Sequence, residues 1–281
     1  PTVDMDLILK AMKKTRPTIL PAVPPVYRRL MDEAKKRGVS LEGIRYAVSG
    51  AMNLPPELVA EWEEASGGFM VEGYGLTECA PLVSCNPLND TRRAGSIGVP
   101  FPSTDIRVVD PETGEDVPDG EEGELWVSGP QRFMGYWKRE DETAKTITPD
   151  GWLRTGDIVR LDEDFFIQIV DRIKEVIITG GFNVSPTEVE VALKQHDTVA
   201  DAAVVGIPLP GGGEMVVAAV VPAPGRVVEE HTLREHCYSK VTRYKVPRRI
   251  VVVDDLPRSM LGKVLRRKVR EQLIASGDFE Q

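Results

Sequence analysis

Gly73-Tyr74-Gly75-Leu76-Thr77-Glu78 lies between two apolar runs and gathers a flat aromatic, two glycines, a hydroxyl and a carboxylate. These groups could hold a nucleotide. Glycine carries no Cβ, so backbone can approach a ligand closely. Tyr74 offers a ring face to a purine, Thr77 a hydroxyl to a phosphate oxygen and Glu78 a hard oxygen ligand to Mg²⁺. The same six residues also read as a strand-to-loop turn with an exposed tyrosine and a solvated glutamate, and a short motif does not choose between the two.

Elements that would position this loop can be read on both sides of it. Apolar residues at Val3, Leu7, Ile8 and Met12 predict a helix over 3–14, stopped by Pro17. Short strands are expected over 18–20 and 44–49, with a turn over 21–25 and helices over 26–36 and from Pro55-Pro56-Glu57 to Ala65. Strands alternating with helices predict an α/β fold with a mostly parallel sheet, whose ligands bind at the strand ends. From Ile106 onward, short alternating runs punctuated by Gly and Pro predict antiparallel strands closing into a distorted barrel. Beyond residue 176 the pattern becomes α+β. Ser185, Pro186 and Glu188 read as a capping box opening a helix to Lys194. Strands over 200–207 and 214–221 flank Gly211-Gly212-Gly213, and a helix over 233–242 precedes a strand over 249–253.

The 281 residues suffice for one large or two moderate domains, and 41% hydrophobic with 28% charged residues is ordinary globular composition. A net charge of −9 argues against a nucleic-acid partner. The charge is uneven: residues 240–270 hold eleven Lys and Arg against Asp254 and Asp255, which suits an anionic ligand or else a solvated basic face. Cys79, Cys85 and Cys237 are too few and scattered for a disulfide framework or a zinc cluster, and a reducing compartment is expected. No apolar run approaches the roughly 20 residues of a membrane-spanning helix.

Tyr74-Gly75-Leu76-Thr77-Glu78 resembles the adenine-binding motif of the adenylate-forming superfamily, which holds acyl-CoA synthetases, adenylation domains of peptide synthetases and firefly-type luciferases. Further motifs similar to that family's follow in order. Ser49-Gly50-Ala51 resembles the small-residue turn lining the adenine and acyl pockets. Gly151-Trp152-Leu153-Arg154-Thr155-Gly156-Asp157 resembles the segment whose Asp accepts both ribose hydroxyls, which implies that role for Asp157. Asp171-Arg172-Ile173-Lys174-Glu175 resembles the boundary between the family's large and small domains. It implies a hinge near 171–175 at Lys174, and Arg172 on the ribose or α-phosphate. Gly180-Gly181-Phe182-Asn183-Val184 is similar to the loop lining the pantetheine tunnel, and Leu256 to Arg267 resembles the closing motif, whose Lys263 would reach the carboxylate and α-phosphate. Met134-Gly135-Tyr136-Trp137 resembles a stretch with a structural role, packing the barrel against the ligand cleft.

The resemblance implies the end of a large AMP-binding domain over 1–171 and a small mobile α+β domain over 172–281. The implied activity is AMP-forming carboxylate–CoA ligation with ATP, Mg²⁺ and coenzyme A, in which Thr77, Glu78 and Lys263 are catalytic. Leu88-Asn89, Gly95 to Pro102 and Phe133 to Trp137 are most similar to bacterial fatty acyl-CoA synthetases, implying a medium- or long-chain fatty acid. A fatty acyl-AMP ligase and an aryl-CoA ligase are the alternatives, and a cytoplasmic site with peripheral membrane contact or a homodimer would be compatible. The resemblance breaks at Asp162-Glu163-Asp164-Phe165-Phe166, where relatives commonly place a glycine before the aromatics. With no initiator Met and no Gly/Ser/Thr-rich phosphate loop, the chain is expected to lack its natural beginning, and as given to be a non-catalytic fragment.

Overall fold

The computed structural model describes residues 3–210, 212–259 and 262–276; Gly211, Met260 and Leu261, which fall in the expected glycine turn and the closing motif, lie outside them. Two compact units result, the first ending at Ile169 and the second beginning at Val170.

In the first unit, α1 (Met5–Thr15) begins where Asp4 caps it, Oδ1 accepting the N–H groups of Asp6 and Leu7 at 2.9 and 3.1 Å. β1 (Ile19–Ala22), α2 (Pro24–Lys36), β2 (Tyr46–Ser49), α3 (Pro56–Ser66) and β3 (Phe69–Gly75) follow. Pro24 and Pro25, expected in a turn, instead form the first turn of α2, where proline's missing N–H forfeits no helical bond. β1, β2 and β3 run parallel, with Ala22 opposite Ser49 and Ser49 opposite Glu72. The three helices share one core with Leu20, Ala47 and Met70, in which the fully buried Tyr27 meets Trp62 edge-on at 4.7 Å. β4 (Leu82–Cys85) and β5 (Val99–Pro100) extend the sheet antiparallel, giving the order β1-β2-β3-β4-β5.

β6 (Asp105–Val109), β7 (Gly123–Ser128), β8 (Leu153–Leu161) and β9 (Ile167–Arg172) form a second sheet in chain order, with α4 (Glu140–Thr146) between β7 and β8. The expected distorted barrel takes the form of this open four-stranded sheet. Its β9 edge is satisfied elsewhere: Ile167 donates to Gly98 and accepts from Ile97, both at 2.9 Å, so the segment before β5 covers that edge and joins the two sheets. Tyr74 and Val83 from one sheet, with Cys79 and Ile97 from the segments bordering it, share a core with Leu125, Val127, Leu153 and Ile167 from the other.

The second unit opens with a hairpin of β10 (Ile177–Thr179) and β11 (Phe182–Val184), then α5 (Pro186–Lys194). Ser185 caps α5 as expected, accepting from the Glu188 N–H at 3.2 Å, but the reciprocal half of the capping box is absent because the Glu188 carboxylate pairs with Lys245 at 2.6 Å. β12 (Val199–Pro208), β13 (Glu214–Pro222), α6 (Glu230–Tyr238), β14 (Arg249–Val252) and α7 (Arg266–Ala275) complete it. The sheet order is β12-β13-β14. Alternate residues of β12 enter opposite cores: Ala202 and Val204 pack with α5 and α6, Ala203 and Val205 with Val269 and Leu273 of α7. Helix α7 was not expected; its apolar pair at i, i+4 is embedded in basic residues.

The turn that lacks the expected glycine has an identifiable geometry. Asp162 Oδ1 accepts the N–H groups of Asp164 and Phe166 at 3.0 and 2.9 Å, and Phe165 between them takes φ +64° with its ring 65% exposed. A side chain in this left-handed region costs on the order of 1 kcal/mol, with no burial here to offset it. Phe165→Gly should therefore raise the unfolding free energy by about 1 kcal/mol in urea titration; a lowered midpoint would show that the ring contributes more than the backbone loses.

Candidate functional site

The carboxyl ends of the parallel strands carry the first cluster of expected site residues. Ser49, Gly50 and Ala51 leave β2 alongside β3; a Cβ built on Gly50 would lie 3.4 Å from the Gly73 carbonyl oxygen. Ser49 is fully buried and its Oγ lacks a hydrogen-bond partner, so the turn presents backbone rather than this hydroxyl. Two motif glycines differ in cause. Gly75 is demanded by packing, because a Cβ there would sit 1.9 Å from the Pro81 carbonyl oxygen where the chain doubles back. Gly73 is not: its Cβ would meet only ordinary contacts at 3.6 Å and beyond.

Tyr74, only 8% exposed, donates its hydroxyl proton to Oδ2 of Asp157, itself 3% exposed on β8. The two residues lie 83 positions apart in sequence and on different sheets. Asp157 is placed by an irregularity of β8 at Gly156, whose N–H donates to Glu124 Oε1 at 2.9 Å, while Thr155 Oγ1 donates to the Leu125 carbonyl at 2.7 Å. The other Glu124 oxygen accepts from Trp126 Nε1 at 2.8 Å, so this buried carboxylate bridges β7 and β8 where their pairing is irregular. Thr77 and Glu78 occupy a 3-10 turn directly after β3, Thr77 exposed and Glu78 half-buried. Tyr136 donates to Glu78 Oε1 at 2.6 Å, and the carboxylate holds that phenol above its ordinary pKa.

For a hard divalent cation, no group of three or more His, Cys, Asp or Glu comes together among the described residues, so a cage built wholly of side chains is not offered. A partly exposed Glu78 beside the Thr77 hydroxyl fits the other mode: one carboxylate completing a shell of phosphate oxygens and water.

The remaining expected residues belong to the second unit. Arg172, exposed, ends β9; Lys174, exposed, lies in the turn that follows, where Glu175 N–H donates to the Arg172 carbonyl at 2.9 Å. Asp171, 4% exposed, binds the Arg172 and Thr187 N–H groups and the Ser185 hydroxyl, fixing this turn to the start of α5. Gly180 and Gly181 form the two-residue turn between β10 and β11 with φ of +57° and +82°. Both in that region is what a type I′ hairpin turn requires, and neither Cβ would meet another atom. Phe182, 55% exposed, stacks on Tyr244 at 4.7 Å.

Lys263 is exposed on a short loop whose ends are tied: Ser259 N–H donates to the Lys263 carbonyl at 2.8 Å, and Arg258 pairs with Asp201. Three residues on, the largely buried Arg266 places Nε and Nη2 on the two oxygens of Glu190 at 2.8 and 2.7 Å, reaches Thr187 Oγ1 at 2.9 Å and pairs with Glu175. Of the eleven basic residues over 240–270, Lys245, Arg249, Arg258, Arg266, Arg267 and Arg270 all face carboxylates. Among the described residues, about half of the basic run is thus paired within the unit.

The chain matches the AMP-binding enzyme family over residues 1–137 and the AMP-binding enzyme C-terminal domain over 188–263. It belongs to the AMP-binding, adenylate-forming enzymes. It is 40% identical over 274 residues to a long-chain-fatty-acid–CoA ligase of Yersinia pestis, covering 98% of this chain and 48% of that protein. To the long-chain-fatty-acid–CoA ligase of Bacillus subtilis it is 39% identical over 264 residues, covering 94% and 47%. The crystal structure of ATP-bound MatB from Rhodopseudomonas palustris superposes with a TM-score of 0.86 at 35% identity, covering 96% of this chain and 53% of that one. The chain spans about half the length of the curated relatives it matches. Among the described residues no helix is long and apolar enough to cross a membrane.

Sequence reasoning missed Tyr136, Glu124, Asp171 and Arg266, because their roles depend on partners distant in the chain. It also missed Glu72, next to Gly73. Only 6% exposed, Glu72 accepts from Leu54 N–H at 3.3 Å and lines a cavity of about 360 Å³ with Asn86 and Arg92; burial pushes its pKa up to about 8. The folded state therefore keeps a proton that the unfolded chain releases near the ordinary glutamate value of 4.5, so this group makes stability fall as pH rises from about 4.5 to 8. Glu72→Gln should remove that decline. In urea unfolding at pH 5, 7 and 9 its advantage over wild type should grow with pH, and parallel profiles would show that Glu72 is already ionised.

Proposed function

We propose that the protein is an AMP-forming carboxylate–CoA ligase acting on a medium- or long-chain fatty acid. The observation that carries this reading is the meeting of Tyr74 with Asp157, beside Gly50 and Gly73 at the carboxyl ends of β2 and β3. Packing within the chain does not require either glycine, whereas a flat ligand lying against backbone would. In this reading the purine lies along Gly73 and the Tyr74 ring, backed by the Ser49-Gly50-Ala51 turn, and Asp157 binds the ribose hydroxyls. The long-chain fatty-acid ligases among its relatives support the substrate class.

The chemistry has two half-reactions. A carboxylate oxygen attacks the α-phosphorus of ATP and pyrophosphate leaves; a thiol then attacks the acyl carbonyl and AMP leaves. Glu78, with Thr77 beside it, would hold a magnesium ion, which would supply charge neutralisation at the phosphates. Arg172 contacts the ribose or α-phosphate, and Lys263 stabilises the charge developing on the carboxylate and the α-phosphate. Gly180, Gly181 and Phe182 guide the pantetheine arm of coenzyme A in the second step, with Lys174 as the pivot between the two dispositions. An exposed Lys263 on a loop anchored at both ends suits a group that must be delivered and withdrawn.

Lys263→Ala in the full-length protein should abolish acyl-adenylate formation, measured as ATP–pyrophosphate exchange, yet spare thioester formation from supplied acyl-AMP. Equal loss in both assays would refute the assignment of Lys263.

A further inference from the structure

Glu78 is held twice by one neighbouring segment. Its carbonyl oxygen accepts the Phe133 N–H at 2.7 Å, and its Oε1 accepts the Tyr136 hydroxyl at 2.6 Å. That phenol is itself fixed. Tyr136 N–H donates to Thr143 Oγ1 at 2.9 Å, and the Phe133 ring meets the Tyr136 ring edge-on at 4.9 Å. A glutamate on a surface turn ordinarily samples several rotamers, and each must be given up when its carboxylate binds an ion. Here the phenol occupies one carboxylate oxygen from a fixed direction and leaves the other available. This is the arrangement by which partners outside the coordination shell orient a ligand and raise its affinity for the metal.

We propose that Tyr136 is a positioning residue that orients the Glu78 carboxylate toward the divalent cation accompanying the nucleotide. The proposal rests on the reading of Glu78 as the cation's protein ligand, and adds to it a group assigned above only to packing. A mere surface tether between the 3-10 turn and the 133–136 segment would affect stability without affecting metal affinity.

The test uses the full-length protein with α,β-methylene-ATP and Mn²⁺ in place of Mg²⁺, reading free Mn²⁺ by electron paramagnetic resonance, on Tyr136→Phe, Glu78→Gln and the double variant. Tyr136→Phe should weaken Mn²⁺ binding about tenfold, the lower end of the range for such partners. Glu78→Gln should weaken it at least as much, and the double variant no further than Glu78→Gln alone. Wild-type Mn²⁺ affinity in Tyr136→Phe, whether or not its melting midpoint falls, would overturn the proposal while leaving Glu78 as the ligand. A double variant weaker than Glu78→Gln would also overturn it, since Tyr136 would then act on the metal by another route. Wild-type affinity in Glu78→Gln would instead sink the underlying assignment of Glu78.

Discussion

The first unit depends on one hydrogen bond between two buried side chains, Tyr74 and Asp157. A carboxylate nearly excluded from water must be satisfied by the protein or a ligand, because leaving it unpaired costs several kcal/mol. Here the partner comes from the far sheet. The contact fixes where β3 must end relative to the irregular point of β8 at Gly156, and the surrounding links repeat the demand: Ile167 with Ile97 and Gly98, Phe133 with Glu78, and a shared apolar core under both sheets. Apolar burial supplies most of the stabilisation but is indifferent to register. The polar contacts select one alignment of the two sheets, and that alignment brings Tyr74 to Asp157.

In the second unit Arg266 has the corresponding part. Its guanidinium is withdrawn from water and satisfied by a bidentate pair with Glu190, a hydroxyl from Thr187 and a further carboxylate, Glu175. This forked geometry is one that lysine could not reproduce. The network binds the turn after β9, the first turns of α5 and the start of α7 together. Lys263 therefore sits three residues from one of the best-anchored points of the unit, yet is exposed.

Much of this was readable from residue order. The βαβ alternation over the first 75 residues, the Ser185 cap and the paired strands of the small domain follow from local periodicity and turn chemistry. What escaped the sequence did so for separate physical reasons. Helix α7 was hidden because six of its ten residues are charged or polar and only Val269 and Leu273 are buried. Pro24 and Pro25 announce a turn as readily as a helix start, since proline suits both. The cover of β9 could not be read because its bonds come from Ile97 and Gly98, a segment with no strand signature. Residue 165 is the opposite case: a missing glycine signalled an unusual turn, and the turn was kept at the expense of backbone strain.

The glycines of the site show why motif and mechanism should be separated. Gly75, Gly180 and Gly181 stand in segments that resemble family motifs, yet each has a sufficient explanation in the fold: a carbonyl pressed against one, a type I′ turn for the other two. Gly50 and Gly73 have no such explanation, since a methyl group would fit at both with ordinary contacts. A residue that folding leaves unexplained carries more information about a ligand than one that folding requires. By that standard the strongest pointers to a nucleotide here are the two bare backbone positions Gly50 and Gly73, at the ends of β2 and β3, and the motif's first glycine says more than its second.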